Sequence, residues 1–319
     1  MGHYWVTWNV RGMNRASKRR VIKKQLSVAK PGLVLIQESK LGAGTEKLID
    51  SWAQSLGMKH SMVLASGTAG GLISLWRDGE VEVIQEISDQ RFITLLVKLQ
   101  NTEGLTLVVN VYGPHSDAER YAFFVQLSVM VAEHRGGVIM GGDFNAVIQE
   151  NERKGGGALH LGDIAFHQFV ADSCLMDLPL QRGLFTWFSS RNDGLGSRLD
   201  RWLLSEDMFL CFNNFNQVAL EWGISDHRPV AIDFGLDDFG PKPFTFFNHW
   251  IQEVGFNELV ELDCGGRVGR ICVNEKVTAA EGENKRVEKG KGCMGCKTDP
   301  RAVREGACFD VSDGNGRCK

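Results

Sequence analysis

The chain reads as an α/β protein built from two packed β-sheets with helices on their outer faces. Three observations predict this. Across the first 235 residues, short apolar runs alternate with amphipathic stretches. Many of the runs are rich in Val, Ile and Leu and are bounded by Gly or Asp, as buried strands are. Roughly ten strands against four helices are too many for an alternating parallel barrel, whereas two sheets with flanking helices accommodate them. With 319 residues, 43% of them apolar and 24% charged, the chain can bury a sizeable core.

In chain order, the strand-like runs are 4–9 (YWVTWN), 33–38 (LVLIQE), 61–65 (SMVLA), 72–76 (LISLW), 81–87 (VEVIQEI) and 92–99 (FITLLVKL). They continue with 105–112 (LTLVVNVY), 138–140 (VIM), 185–188 (FTWF) and 230–234 (VAIDF). Helices are predicted over 17–29, 45–56, 117–133 and 163–174. The third has a defined start: Ser116 can cap it, with Glu119 three residues on. Its Tyr121, Phe124, Leu127 and Met130 form an apolar stripe. The domain bounds expected from this pattern are 1–240, a connecting segment 241–263, and a tail 264–319.

The tail has a single aromatic residue, Phe309, many Gly and Lys, and no sustained periodicity, so it lacks the apolar surface that offsets ordering entropy. It also holds six of the eight cysteines: Cys264, Cys272, Cys293, Cys296, Cys308 and Cys318. Cys293-Met-Gly-Cys296 suggests zinc, but a structural site needs a second pair at workable spacing. The expectation is a tail of low order.

Composition limits the partners. No run approaches the eighteen apolar residues of a membrane-spanning helix. The start, MGHYWVTWNVRG, lacks a secretory apolar region, and Val6 breaks the myristoylation pattern. An intracellular protein is expected. Residues 264–319 carry 12 Lys and Arg against 8 Asp and Glu, which leaves residues 1–263 with 24 basic and 31 acidic side chains, a net −7. An acidic body argues against binding nucleic acid over its whole surface but leaves room for a local basic patch. One such patch is Arg11, Arg15, Lys18, Arg19, Arg20, Lys23 and Lys24, with no acid anywhere in 10–37. It is either a DNA-backbone contact or a solvated helix face.

Four segments at strand ends carry the chemistry: Trp8-Asn9-Val10-Arg11-Gly12, Ile36-Gln37-Glu38, Gly141-Gly142-Asp143-Phe144-Asn145 and Ser225-Asp226-His227. Loops held by a rigid sheet are where sites are built. Each segment alone has a structural explanation, such as a solvated strand end, a turn, a helix cap or, for Trp8, a core position. Together they offer three acids, three amides and a histidine, and no candidate Ser or Cys nucleophile beside a base. That inventory suits metal-assisted hydrolysis with water as the nucleophile.

The ordered set WNVRG, IQE, NVYGP, GGDFN, SRLDR and SDHRPV resembles the endonuclease/exonuclease/phosphatase superfamily over about residues 4–235. Tyr112 in NVYGP resembles the branch of apurinic/apyrimidinic and retrotransposon endonucleases; the secreted deoxyribonucleases have a histidine there. FTWFS, RLDRWLLS and PKPFTFFNHW resemble the endonuclease domains of plant non-LTR (LINE-type) retrotransposons. The resemblance implies a DNase I-like, four-layered α/β/β/α sandwich with the site at one edge of its two sheets.

It also implies roles. Glu38 binds a divalent cation, supported by Asn9, and Asp226 reaches the same ion, Mg²⁺ or Mn²⁺ in its place. Asp143 positions and deprotonates the attacking water, Asn145 orients it, and Tyr112 donates to the scissile phosphate. Asp200 orients His227, which acts as base, acid or electrostatic clamp. Arg11 and His115 are substrate contacts, and both depart from the family pattern. His115 stands where many relatives have a phosphate-touching asparagine, and Arg11 replaces an acid of some repair enzymes.

The function implied is a DNA-nicking, metal-dependent endonuclease, with DNA as partner and no obligate protein partner evident. The family pattern fades after about Glu261, so a truncated element without its reverse transcriptase is expected. The alternatives are an abasic-site repair endonuclease, a phosphoesterase for small phosphate esters, and an inactive remnant. The loop 189–197 is a possible specificity element by analogy with its place near the DNA groove.

Overall fold

A computed structural model describes residues 3–235 except 68, 100, 101, 103, 156, 192, 193, 213 and 222. The expected segments 241–263 and 264–319, with the Cys293–Cys296 pair, lie outside the described residues. Those described all fall in one unit, Met1–Lys242.

The first sheet begins with β1 (His3–Asn9), α1 (Ala16–Ala29), β2 (Leu33–Gln37), α2 (Glu46–Gln54), β3 (Lys59–Val63) and β4 (Leu72–Trp76). The chain crosses to the second through β5 (Glu82–Ser88), β6 (Phe92–Lys98), β7 (Leu105–Tyr112), α3 (Asp117–Glu133), β8 (Val138–Asp143), α4 (Leu161–Asp172) and β9 (Leu175–Asp177). A short β10 (Leu180–Gln181) returns to the first sheet, and β11 (Trp187–Phe188) with β12 (Gly196–Ser197) makes a separate ribbon. Then β13 (Asp200–Ser205) joins the second sheet, and after α5 (Glu206–Cys211) β14 (Asn214–Ala219) and β15 (Val230–Gly235) complete the first. The strand orders are β10-β14-β15-β1-β2-β4-β3 and β5-β6-β7-β8-β13-β9. Both sheets are mixed: β1 is parallel to β2 and antiparallel to β15, and β7 is parallel to β8.

Strand alternation creates the layers. In β2, Leu33 and Leu35 face the other sheet, where Ile93, Leu95, Ile139 and Trp202 meet them. Val34 and Ile36 face outward onto Ile22 and Leu26 of α1 and Ile49 and Trp52 of α2. On the far side, Val109, Val111 and Met140 pack under Phe123, Phe124 and Leu127 of α3 and Phe166 and Phe169 of α4. The result is the expected four-layered α/β/β/α sandwich. Among the described residues no helix is long and apolar enough to cross a membrane.

Several sequence expectations shift. The run 61–65 is a strand two residues earlier, at Lys59–Val63. The run 138–140 extends to Asp143, because its glycines are central to the sheet rather than a turn. A Cβ at Gly141 would overlap the Trp202 ring, and one at Gly142 the Val111 carbonyl. The run 185–188 contributes only the short ribbon strand Trp187–Phe188. On α3, Ser116 does cap, accepting from Glu119 N at 3.3 Å. Its buried face, however, is Arg120, Phe123, Phe124 and Leu127, with Tyr121 exposed.

Candidate active site

Strand register gathers the chemistry at one end of both sheets. Parallel pairing of β7 with β8 sets Tyr112 beside Asp143, and antiparallel pairing of β13 with β8 sets Asp200 on the other side of Asp143. In the facing sheet, Asn9 ends β1 beside Gln37 at the end of β2, so Glu38 emerges just beyond. Asp226 and His227 immediately precede β15 and bridge to the ribbon: Trp187 pairs with His227, and Phe188 N donates to Asp226 O at 3.0 Å. Four non-glycine residues around this end, Arg11, Glu38, Lys40 and Asn145, have left-handed backbones with φ of 48–54°. Such conformations concentrate where surrounding structure over-determines the backbone, as at functional sites.

Asn9 is the hinge between the two halves. Its Nδ2 donates to Glu38 Oε1 at 3.0 Å and to Asp143 Oδ2 at 2.8 Å, while its Oδ1 accepts from Arg11 N at 3.0 Å. The amide thus holds two carboxylates through its hydrogens. Glu38 also meets two cations: Arg11 Nη1 lies 3.4 Å from Oε1, and Lys40 Nζ 3.2 Å from Oε2. Burial acts to raise its pKa, but the Asn9 hydrogen bond, Arg11 and Lys40 outweigh it and keep Glu38 ionised below the usual range. Arg11 Nε reaches Asp226 Oδ1 at 3.4 Å, so one guanidinium bridges Glu38 and Asp226. Trp187 Nε1 donates to Asp226 Oδ2 at 3.3 Å.

The second half is a buried chain of acids around one imidazole. His227 Nδ1 lies 2.9 and 3.1 Å from the Asp200 oxygens, and Nε2 lies 3.9 Å from Asp143 Oδ2. Burial alone would discharge the ring; Asp200 and Asp143 reverse this and push its pKa up to about 9. Complete burial pushes Asp143 up to about 6, with the His227 charge pulling it down and Asp200 pushing it further up. Asp200 is itself held in place by Thr186 Oγ1, which accepts from its backbone N at 3.0 Å. Trp8, a fully buried core residue as expected, donates from Nε1 to His227 O at 3.2 Å.

Tyr112 and Asn145 line the same end. Tyr112 Oη lies 3.1 Å from His115 Nε2, and burial followed by the Glu38 and Asp143 carboxylates holds the phenol well above its ordinary pKa, so it remains a donor. Burial lowers the His115 pKa, which keeps that ring neutral. Asn145 N donates to Asp143 Oδ1 at 2.9 Å and its Nδ2 to Gly113 O at 2.7 Å, which locks the GGDFN loop to NVYGP. All ten residues singled out from the sequence therefore lie at this end of the sandwich. Lys40, Thr186, Trp187 and Ser225 were missed as site residues. They flank or lie within quoted motifs, but only their contacts give them roles.

The basic patch divides. Arg11, Arg15 and Lys18, with Lys40, line a cavity of about 310 Å³ beside Glu38. Arg19 is spent internally, donating to Met13 O at 2.7 Å and Asn14 O at 2.6 Å. Two oxygen-rich places can receive a cation. Glu38 and Asp226 already hold a positive group between them, and their hard carboxylate oxygens match a dication such as Mg²⁺. Asp143, Asp200 and His227 also place ligand atoms within 4.8 Å of one another.

Known structures share this architecture. An apurinic/apyrimidinic endonuclease, LMAP, from Leishmania major aligns with a TM-score of 0.56 at 16% identity, over 73% of this chain and 87% of that one. The 3′ phosphatase NExo from Neisseria, bound to a product DNA hairpin, aligns at 0.57 and 22%, over 73% and 99%. The endonuclease domain of TRAS1, a telomere-specific non-LTR retrotransposon, aligns at 0.55 and 17%, over 74% and 99%. At these identities the likeness establishes the fold. The sequence itself matches the model of the Endonuclease/Exonuclease/phosphatase family over residues 6–227, a stretch that holds every strand-end residue described above. The chain belongs to that family, whose enzymes are divalent-metal-dependent hydrolases acting on phosphodiester bonds.

Proposed function

We propose that this protein is a metal-dependent endonuclease of the plant LINE-type retrotransposon kind, nicking DNA by attack of water on a phosphodiester. The observation that carries it is the buried Asp143–His227–Asp200 chain set against the Glu38–Asp226 pair, with a protonated phenol beside them. No described Ser or Cys serves as nucleophile there: Ser225 Oγ donates to Asn9 O at 2.8 Å and accepts from His227 N at 3.2 Å.

The residues divide the work. Glu38 and Asp226 hold Mg²⁺, or Mn²⁺ in its place, with Asn9 fixing Glu38. When bound, the ion neutralises charge on the phosphate. Asp143, raised to about 6, is a base matched to neutral pH and takes the proton of the attacking water, with Asn145 Oδ1 orienting that water. His227, whose charged form the Asp200 and Asp143 carboxylates favour, serves as a clamp or acid for the phosphate oxygens. Tyr112 donates to the scissile phosphate, and Arg11 and His115 contact the substrate at the rim. Action on genomic DNA would place the protein in the nucleus.

The test is nicking of supercoiled plasmid with Mg²⁺ by the wild type, Glu38→Ala and His227→Ala, beside abasic duplex and a small phosphate ester. Nicking lost in both variants is the expected result. Equal activity in all three would overturn the site. Selective turnover of the abasic duplex or of the small ester would replace the retrotransposon reading with repair or phosphatase chemistry.

A further inference from the structure

We propose that Arg11 is a built-in cation seated between the metal-binding carboxylates, and that a substrate phosphate draws it away, so that DNA and the divalent ion bind with positive coupling. The inference rests on the metal-site reading above. One guanidinium spans both carboxylates, with Nη1 3.4 Å from Glu38 Oε1 and Nε 3.4 Å from Asp226 Oδ1, while Lys40 Nζ sits 3.2 Å from the other Glu38 oxygen. A dication held by Glu38 and Asp226 needs these same oxygens and is repelled by a positive group a few ångströms away. Guanidinium cannot step aside by losing its proton, so it must move.

The structure provides the means. The Arg11 backbone is pinned by its N–H to Asn9 Oδ1 at 3.0 Å, while its side chain is 41% exposed, so an incoming anion can reach the guanidinium from solvent. Beside it lies the 310 Å³ cavity lined by Arg11, Gly12, Asn14, Arg15, Lys18 and Lys40, with four cations and no acid among its lining residues. That is a receptor for an anion, and phosphate pairs with arginine through two parallel hydrogen bonds. A DNA phosphate entering this cavity exchanges the Arg11 partner from carboxylate to phosphate and frees the Glu38 and Asp226 oxygens. Linkage then requires the converse, that bound metal tightens DNA binding.

The experiment is direct titration of Mn²⁺, read as free Mn²⁺ by electron paramagnetic resonance, with and without a phosphorothioate DNA duplex, corrected for Mn²⁺ bound by the duplex alone. Without DNA, Arg11→Ala should bind Mn²⁺ about tenfold more tightly than the wild type, the ratio expected from removing two competing partly exposed ion pairs. Arg11→Gln should do the same, which guards against a folding defect in one variant. The duplex should tighten Mn²⁺ binding by the wild type and leave Arg11→Ala nearly unchanged. Unaltered or weaker Mn²⁺ binding by both Arg11 variants overturns the proposal. Glu38→Gln separates the two ways of failing: if it abolishes binding while the Arg11 variants match the wild type, only the role of Arg11 falls. If Glu38→Gln binds Mn²⁺ normally, the metal-site reading falls, and this inference with it.

Discussion

Asp200 and Arg201 are neighbours on β13, yet they serve two buried charged clusters of different kinds. Arg201 contacts Glu152 at 3.0 Å and Asp177 at 2.8 Å, and Arg198 contacts the same two acids at 3.1 and 2.7 Å. Two cations face two anions, and each carboxylate is paired twice. On the other side of the strand, Asp200 and Asp143 share a single imidazole, at 2.9 and 3.9 Å. Burial opposes the charge of Glu152 as it does that of Asp143. For Glu152, Arg201 and its hydrogen bonds outweigh burial and lower the pKa; for Asp143 they do not, and it rises to about 6. Pairing alone does not set the outcome, since burial raises Asp177 although both arginines contact it. Asp143 is left ready to take a proton because one shared imidazole and its hydrogen bonds do not offset its burial.

The sharpest way to break this contrast is to remove one acid from each cluster. Asp143→Asn is expected to lower plasmid-nicking kcat/KM about a thousandfold, the middle of the range for a general base, and to destabilise less than loss of Glu152, because it removes a charge that burial disfavours while keeping the side chain's volume. Glu152→Ala is expected to cost about 3–5 kcal/mol in urea unfolding, because it leaves two buried arginines, Arg198 and Arg201, sharing the single acid Asp177. Comparable destabilisation by both would erase the distinction.

Stability against pH should show the two acids with opposite signs. Glu152 has a folded pKa below its ordinary 4.5, so its contribution is present above that pH and is lost as pH falls through the lower folded value. Asp143 rises from 3.8 to about 6, so the folded state holds the extra proton in that window and stability declines as pH increases through it. Urea midpoints measured across this range should show Glu152→Gln losing the acid-side dependence and Asp143→Asn losing the decline. The smallest effect is expected from His115→Asn. Asparagine can still bond Tyr112, so nicking should fall about threefold or less, the cost of a weakened hydrogen bond.

Much of the site was legible because its residues end apolar runs. Glu38 and Tyr112 each close a run rich in Val, Ile and Leu, and Asn9 closes the aromatic-rich run YWVTWN. Asp143 was legible only through GGDFN, since the apolar run stops at Met140 and two glycines without side chains hid the last half of β8. Strand β13 was overlooked because Asp200 and Arg201 place charges at its start, and β14 because three of the six residues of NFNQVA are polar. Those polar side chains are accommodated by partners distant in sequence: Asp200 by His227, Arg201 by Glu152, and Gln217 by the backbone of Leu178 and Trp202. Tyr121 was misplaced on the α3 stripe because helical spacing alone cannot say which of two adjacent rows, 120–124–127 or 121–124, meets the sheet.

The sequence by itself determined the two-sheet sandwich, the family, and the order of its strand-end motifs, because these depend on local hydrophobic period and on residue identity. Tertiary structure alone decided which charges meet. It seats Arg11 between Glu38 and Asp226, gives Lys40 the second Glu38 oxygen, and divides Asp200 from Arg201 across one strand. The physical reason is that a buried charge takes its properties from neighbours a few ångströms away, and in this fold those neighbours come from other strands.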